Sequence, residues 1–195
     1  LCTHPVLSGK AYETSGGLHG VGISVVNALS ETLVVDVARD KQAWRQAYSR
    51  GAPTSKLQSL GNANWRGTLV TFTPDHEIFG KTTHFKPERL YALARSKAYL
   101  FKGVEIRWTC DPALLRGDDV PATATLHFPG GLADYLNESL AGKNTITPES
   151  FAGSADFPDK AGRMDWAIAW PEDDEGFCQT YCNTIPTPQF SSPPD

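Results

Sequence analysis

The sequence has no run of about 18 consecutive apolar residues, so no segment reads as a membrane-spanning helix. It has no surplus of positive charge: 18 Lys and Arg face 22 Asp and Glu, a formal net charge of −4. Affinity for a phosphate backbone needs clustered Lys and Arg, so this piece is a poor nucleic-acid binder by itself. The first ten residues lack the basic stretch and apolar run of a secretory leader. The four cysteines, Cys2, Cys110, Cys178 and Cys182, form no C-x-x-C pair, which argues against a structural zinc site. Their irregular spacing reads as reduced thiols of a cytoplasmic protein, with Cys178 and Cys182 expected on one face of a strand, buried or half-buried. His4, His76, His84 and His127 show no metal-ligand spacing, and no Ser/His/Asp or Cys/His set is brought together.

What is present is a mixed pattern. At 40% hydrophobic and 21% charged the chain is ordinary for a globular protein. Leu33, Val35 and Val37 alternate with Thr32, Val34 and Asp36, predicting a strand over 31–39. A return strand over 43–49 follows, with Trp44, Gln46 and Tyr48 on one side. Residues 57–65 read as a loop and 67–73 as a strong strand ended by Pro74-Asp75. Pro87 opens a helix at the position where its missing N–H does no harm, and the helix runs to about Tyr99. Strands are expected at 104–110 and 123–128, and a helix from Leu132 to about Leu140. Residues 141–162, rich in Gly, Pro, Ser and Asn, read as irregular. Strands at 164–170 and 177–184 are expected to be joined by the acidic turn at 171–176. The tail from Phe190 has no packing logic and is expected to be disordered. The class is α+β, and Phe128-Pro129-Gly130-Gly131 is the clearest boundary: domains are expected at 1–128 and 129–195.

One stretch stands apart. Ser15-Gly16-Gly17-Leu18-His19-Gly20-Val21-Gly22 carries four glycines in seven positions, which neither a strand nor a helix interior tolerates well. Val21, Val25, Val26 and Leu29 then fall at helical spacing, with an apolar face suited to a sheet. A glycine loop leading into a helix N-terminus offers unpaired N–H groups and partial positive charge, a site for phosphate; a structural turn would need the same glycines. The G-G-x-x-G-x-G spacing is neither the dinucleotide fingerprint nor a Walker loop. Gly80-Lys81-Thr82 is no Walker end, because Asp75 stands where the leading glycine belongs, and the Asn137-Glu138-Ser139 sequon falls on an expected helix.

Residues 12–30 closely resemble the ATP-lid and helix motif of the B subunits of bacterial type IIA topoisomerases, DNA gyrase and topoisomerase IV, members of the GHKL ATPase superfamily. Ala38-Arg39-Asp40, the 66–72 stretch Arg-Gly-Thr-Leu-Val-Thr-Phe, Phe128-Pro129-Gly130-Gly131-Leu132 and Tyr181-Cys182-Asn183-Thr184-Ile185-Pro186-Thr187-Pro188-Gln189 extend the resemblance over nearly the whole chain. The Asn-Thr-Ile-Pro-Thr wording is nearer topoisomerase IV than gyrase.

The resemblance implies the C-terminal part of a GHKL (Bergerat) ATPase sandwich followed by the start of a transducer domain of the ribosomal protein S5 domain 2-like fold. It also implies site roles. Gly17, Leu18, His19, Gly20, Val21 and Gly22 would hold the ATP phosphates through backbone N–H groups, Tyr12 would touch the adenine, Thr68 would hydrogen-bond around it and Val70 would line its pocket. Arg39 would sit at the rim where family members meet aminocoumarins. ATP and Mg2+ are the implied cofactors. DNA, an A-type subunit (ParC) and a second copy of the ATPase domain are the implied partners of an enzyme that passes one duplex through another. The family's catalytic glutamate, magnesium-binding asparagine and adenine-reading aspartate correspond to positions before Leu1, and the lysine that senses the γ-phosphate to a position after Gln189. Residues 1–7 and 190–195 depart from the family pattern abruptly, so a fragment with aberrant ends, inactive by itself and with a raw sheet edge that makes it poorly soluble, is the expectation. A gyrase B fragment and a non-catalytic module that kept the scaffold are the alternatives.

Overall fold

A computed structural model describes residues 21–117, 120–158, 162–172 and 176–187. They fall into two compact units, one ending at His84 and one starting at Phe85.

The first unit is a helix and a five-stranded antiparallel sheet. Helix α1 (Gly22–Ala28) leads into β1 (Ser30–Arg39), which turns back as β2 (Gln42–Ser49). The turn is only Asp40-Lys41, both at positive φ (53° and 63°), the two-residue geometry whose twist matches a hairpin. The short β3 (Ala52–Pro53) and β4 (Gln58–Asn62) both pair with β2, and β5 (Gly67–Pro74) pairs with the other side of β1. A single turn, α2 (His76–Phe79), follows, capped by the Asp75 carboxylate, which accepts from Glu77 N–H at 2.9 Å. Alternation places the β1 and β2 faces as expected. Two readings need correction. Residues 57–65 contain a strand, β4, because an edge strand exposed along its length shows no apolar period. The helix after the glycines has no buried residue: Val21, Ile23 and Val25 are each about half exposed.

One ion pair crosses neighbouring strands of this sheet, and a second lies just beyond the ends of β2 and β5. Arg45 grips Asp36 bidentately at 2.6 and 2.7 Å, and Arg50 reaches Asp75 at 2.6 Å and Glu77 at 2.9 Å. The Arg45 bond holds the Asp36 carboxyl below its ordinary value. The Glu77 amide and then Arg50 do the same for Asp75. A carboxylate with a depressed folded-state pKa adds stability above its unfolded value of about 3.9 and loses it as pH falls through the lower folded value. The urea midpoint of this unit is therefore expected to drop steeply below about pH 4. Asp36→Asn should lower it at neutral pH and flatten its acid slope.

The second unit is built on α3 (Pro87–Leu100), with Pro87 in its first turn. It covers the hairpin β6 (Glu105–Thr109)–β7 (Thr123–His127), where Ile106 opposes Leu126 and Trp108 opposes Ala124. A short 3-10 turn (Pro112–Leu114) lies in the connection. Ala98, Tyr99, Leu126 and Phe128 form the core, with Leu132 and Tyr135 of α4 (Leu132–Ser139) and Tyr181 packed against it. Gly131, at φ +69°, supplies the left-handed turn from β7 into α4.

Beyond α4 the expected pairing is wrong. The strand at 164–170 is β9 (Arg163–Ile168), and it pairs with β8 (Phe151–Asp156), a stretch read as irregular. Small residues conceal β8: Gly153 lies opposite Trp166, whose ring occupies the space a Cβ there would need. Residues 177–180 are not a strand; only β10 (Tyr181–Cys182) forms, paired with β11 (Ile185–Pro186). Cys178 and Cys182 are consequently exposed. No helix among the described residues is long and apolar enough to cross a membrane.

Candidate nucleotide site

The β1–β5 register decides which side chains can meet. Val37 lies opposite Thr68 and Val35 opposite Val70. Successive residues of a strand point to opposite faces. Thr68, Val70 and Phe72 therefore share one face with Leu33, Val35, Val37 and Arg39 of β1, and with Trp44, Gln46 and Tyr48 of β2. Leu33 is buried, but towards the Asp40-Lys41 turn the face opens: Val37 and Trp44 are more than a third exposed. Thr68 is exposed and Val70 half-buried. Arg39 stands at the end of the same face, 76% exposed, its Nε 3.7 Å from the carboxylate of its neighbour Asp40.

The chemistry of this surface is definite. Valines on two adjacent strands make a flat apolar wall, and a threonine hydroxyl supplies one polar point, which suits the plane and edge of a heterocyclic base. Among the described residues no three His, Cys, Asp or Glu side chains gather in one place. In the order β3-β2-β1-β5, β5 is an edge of the sheet among the described residues.

The phosphate side is partly in view. Val21 precedes α1 as its N-cap, with no side-chain cap bond, and Gly22 begins it with nothing among the described residues within 4 Å of where a Cβ would stand. Tyr12, Gly17, Leu18, His19 and Gly20 lie outside the described residues. The structure thus brings Thr68, Val70 and Arg39 to one face and sets Val21 and Gly22 at the start of α1, which lies against β1 and β2. Sequence reasoning missed Val35 and Val37 as companions of Thr68 and Val70. The alternation of β1 was legible, but only the register shows which residues it places beside β5.

No family model matches the chain. It is 55% identical over 186 residues to the B subunit of DNA topoisomerase 4 from Caulobacter vibrioides, covering 93% of this chain and 27% of that protein. It is 55% identical over 181 residues to the same protein of Bartonella bacilliformis, covering 92% of this chain and 26% of that one. Its structure is similar to the 43K ATPase domain of Thermus thermophilus gyrase B, solved in complex with an aminocoumarin. The TM-score is 0.71 at 31% identity, over 86% of this chain and 44% of that one. The chain spans about a quarter of the length of the curated relatives it matches.

Proposed function

The chain belongs with the B subunits of bacterial topoisomerase IV and gyrase and has their GHKL fold, and we propose that it carries the lid-side half of their ATP site. The observation that carries this reading is the 55% identity to a topoisomerase IV B subunit across 93% of the chain. The sheet face supports it from below: Val35, Val37 and Val70 form the wall for the adenine, Thr68 bonds at its edge, and Arg39 stands at the rim where an aminocoumarin would lie. Tyr12 closes the base from the other side, and the amides of Gly17, Leu18, His19, Gly20, Val21 and Gly22 hold the phosphates.

The proposed parent is the ATP-hydrolysing subunit of topoisomerase IV. It acts in the cytoplasm on DNA, with an A-type subunit (ParC), and closes on a second copy of itself when ATP binds. Identity of 55% to topoisomerase IV relatives against 31% to gyrase B favours that assignment over gyrase. Within the parent, residues 1–128 belong to the ATPase domain and residues 129–195 to the start of the transducer.

Hydrolysis needs a base for the attacking water and a metal on the phosphates. The proposed assignment gives both to residues outside these 195. The purified chain is therefore expected to release no phosphate from ATP above background, whereas the whole parent protein with its A-type partner decatenates DNA in an ATP-dependent way. Turnover by the chain alone would remove the division of labour. A whole parent protein that neither binds nor consumes ATP would remove the reading altogether.

A further inference from the structure

Among the described residues, the backbone bonds that tie helix α1 to the sheet gather at its exit. At its exit Ser30, 1% exposed, donates its hydroxyl to Val26 O at 2.6 Å. Arg50 N–H bonds Ser30 O at 2.8 Å, and Asp75 N–H bonds Leu29 O at 3.0 Å. Two strand ends, those of β2 and β5, thus fasten the same two residues. The fasteners are themselves locked together. The Asp75 carboxylate, 2% exposed, takes Arg50 Nε at 2.6 Å and Glu77 N–H at 2.9 Å, and Arg50 also meets Glu77 at 2.9 Å. Arg50 holds its place with a left-handed backbone, φ +49°, an uncommon conformation for a long side chain. Gly51, at φ +84°, lets the turn press on Ala28, whose Cα would be 3.5 Å from a Cβ there. At the other end Val21, Ile23 and Val25 are about half exposed, and the N-cap Val21 makes no side-chain cap bond.

We propose that Arg50 and Asp75 are positioning residues that anchor the exit end of α1, so that its Val21-Gly22 end is aimed at the phosphates from a set pivot at Leu29-Ser30. The proposal rests on the ATP-lid reading for what the helix is aimed at. The anchor itself is a matter of backbone bonds at one helix end. Arg50 and Gly51 form the two-residue turn between β2 and β3, and the buried Asp75 carboxylate ties that turn to the end of β5, which is what an anchor requires. Stability drawn from this pair is local: it acts on α1 and the strand ends, not on the β1–β5 ladder.

The test is amide hydrogen exchange on the full 195-residue chain without nucleotide. Asp75→Asn keeps an oxygen for the Glu77 amide and removes only the charge; Arg50→Gln removes it from the other side. Each is expected to speed exchange at the Val25 and Leu29 amides roughly tenfold while leaving Val35 and Val70 unchanged, as local opening does. The double variant should be no faster than either single one, because both break one interaction. Arg50→Lys, which keeps the charge, should recover most of the protection. Unchanged α1 amides, or equal acceleration across the sheet, would overturn the anchor. The nucleotide reading is measured apart from it, by following the Val21 and Gly22 amide resonances of the unmodified chain as ATP is added. Shifts there with a failed exchange result leave the lid and remove the anchor; the reverse removes the lid and leaves the anchor.

Discussion

Replacing Tyr99 with alanine is expected to lower the stability of the second unit by about 3–5 kcal/mol, the cost of emptying a large aromatic site in a packed core. Tyr99 is 4% exposed. Its ring stacks on Tyr135 with centroids 4.0 Å apart and meets Phe128 and Tyr181 edge-on, each at 6.0 Å. These rings come from α3, α4, the end of β7 and β10, so one truncation loosens four elements together. A domain whose whole stability is about 5–15 kcal/mol would lose a large part of it. Tyr99→Phe separates packing from polarity. It keeps every ring contact and removes only the hydroxyl bonded to Tyr181, whose own hydroxyl still reaches Gln179 Oε1 at 3.1 Å. That variant should cost about 1 kcal/mol, a net hydrogen bond. Burial first, and then the Tyr181 bond, push the Tyr99 phenol above its ordinary value. Its neutral form therefore stabilises the fold below about pH 10, and that contribution fades as alkali ionises the unfolded chain. Urea titrations of both variants at pH 7 decide the point; equal losses would mean that the hydroxyl pair, not the ring stack, organises this core.

Legibility of the fold followed burial. Leu33, Val35 and Val37 alternate with residues of the face that carries the Asp36–Arg45 pair, so strand and faces could be read directly. The α3 helix announced itself through Pro87 and its apolar stripe. Where the partner rather than the residue decides, the pattern was silent. Gln58–Asn62 becomes a strand only because β2 offers it an edge, and Phe151–Asp156 only because Trp166 needs a glycine to lie across. The site divides in the same way. A glycine loop running into a helix suggests an anion from physics alone. Thr68 and Val70 carry no such mark. Only resemblance singled them out, and only the β1–β5 register shows that they stand beside Val37 and Val35. The Arg50–Asp75 pair left no trace, since the two residues are 25 positions apart and neither belongs to a recognisable spacing.

Gly22→Ala is the substitution for which fold and function give opposite answers. Gly51 is a glycine of the fold: its φ is +84° and Ala28 packs against it. Gly22 is not. Its φ is outside the left-handed region, it opens α1, and among the described residues a Cβ there meets nothing within 4 Å. Alanine would fit, and on helix propensity it should leave the melting temperature of the chain unchanged or raise it, by up to about 1 kcal/mol of stability. If the amides from Gly17 to Gly22 close on the phosphates, the same methyl group intrudes where the backbone must approach. Small displacements of a reacting group are costly, so ATP turnover by the whole parent protein should fall on the order of 100-fold. A more stable chain within a far weaker ATPase is an outcome that a structural turn cannot produce. A variant that is both stable and fully active would show that the glycine at this helix start serves neither fold nor phosphate, and the lid reading would lose the one phosphate-side glycine for which the structure gives no other use.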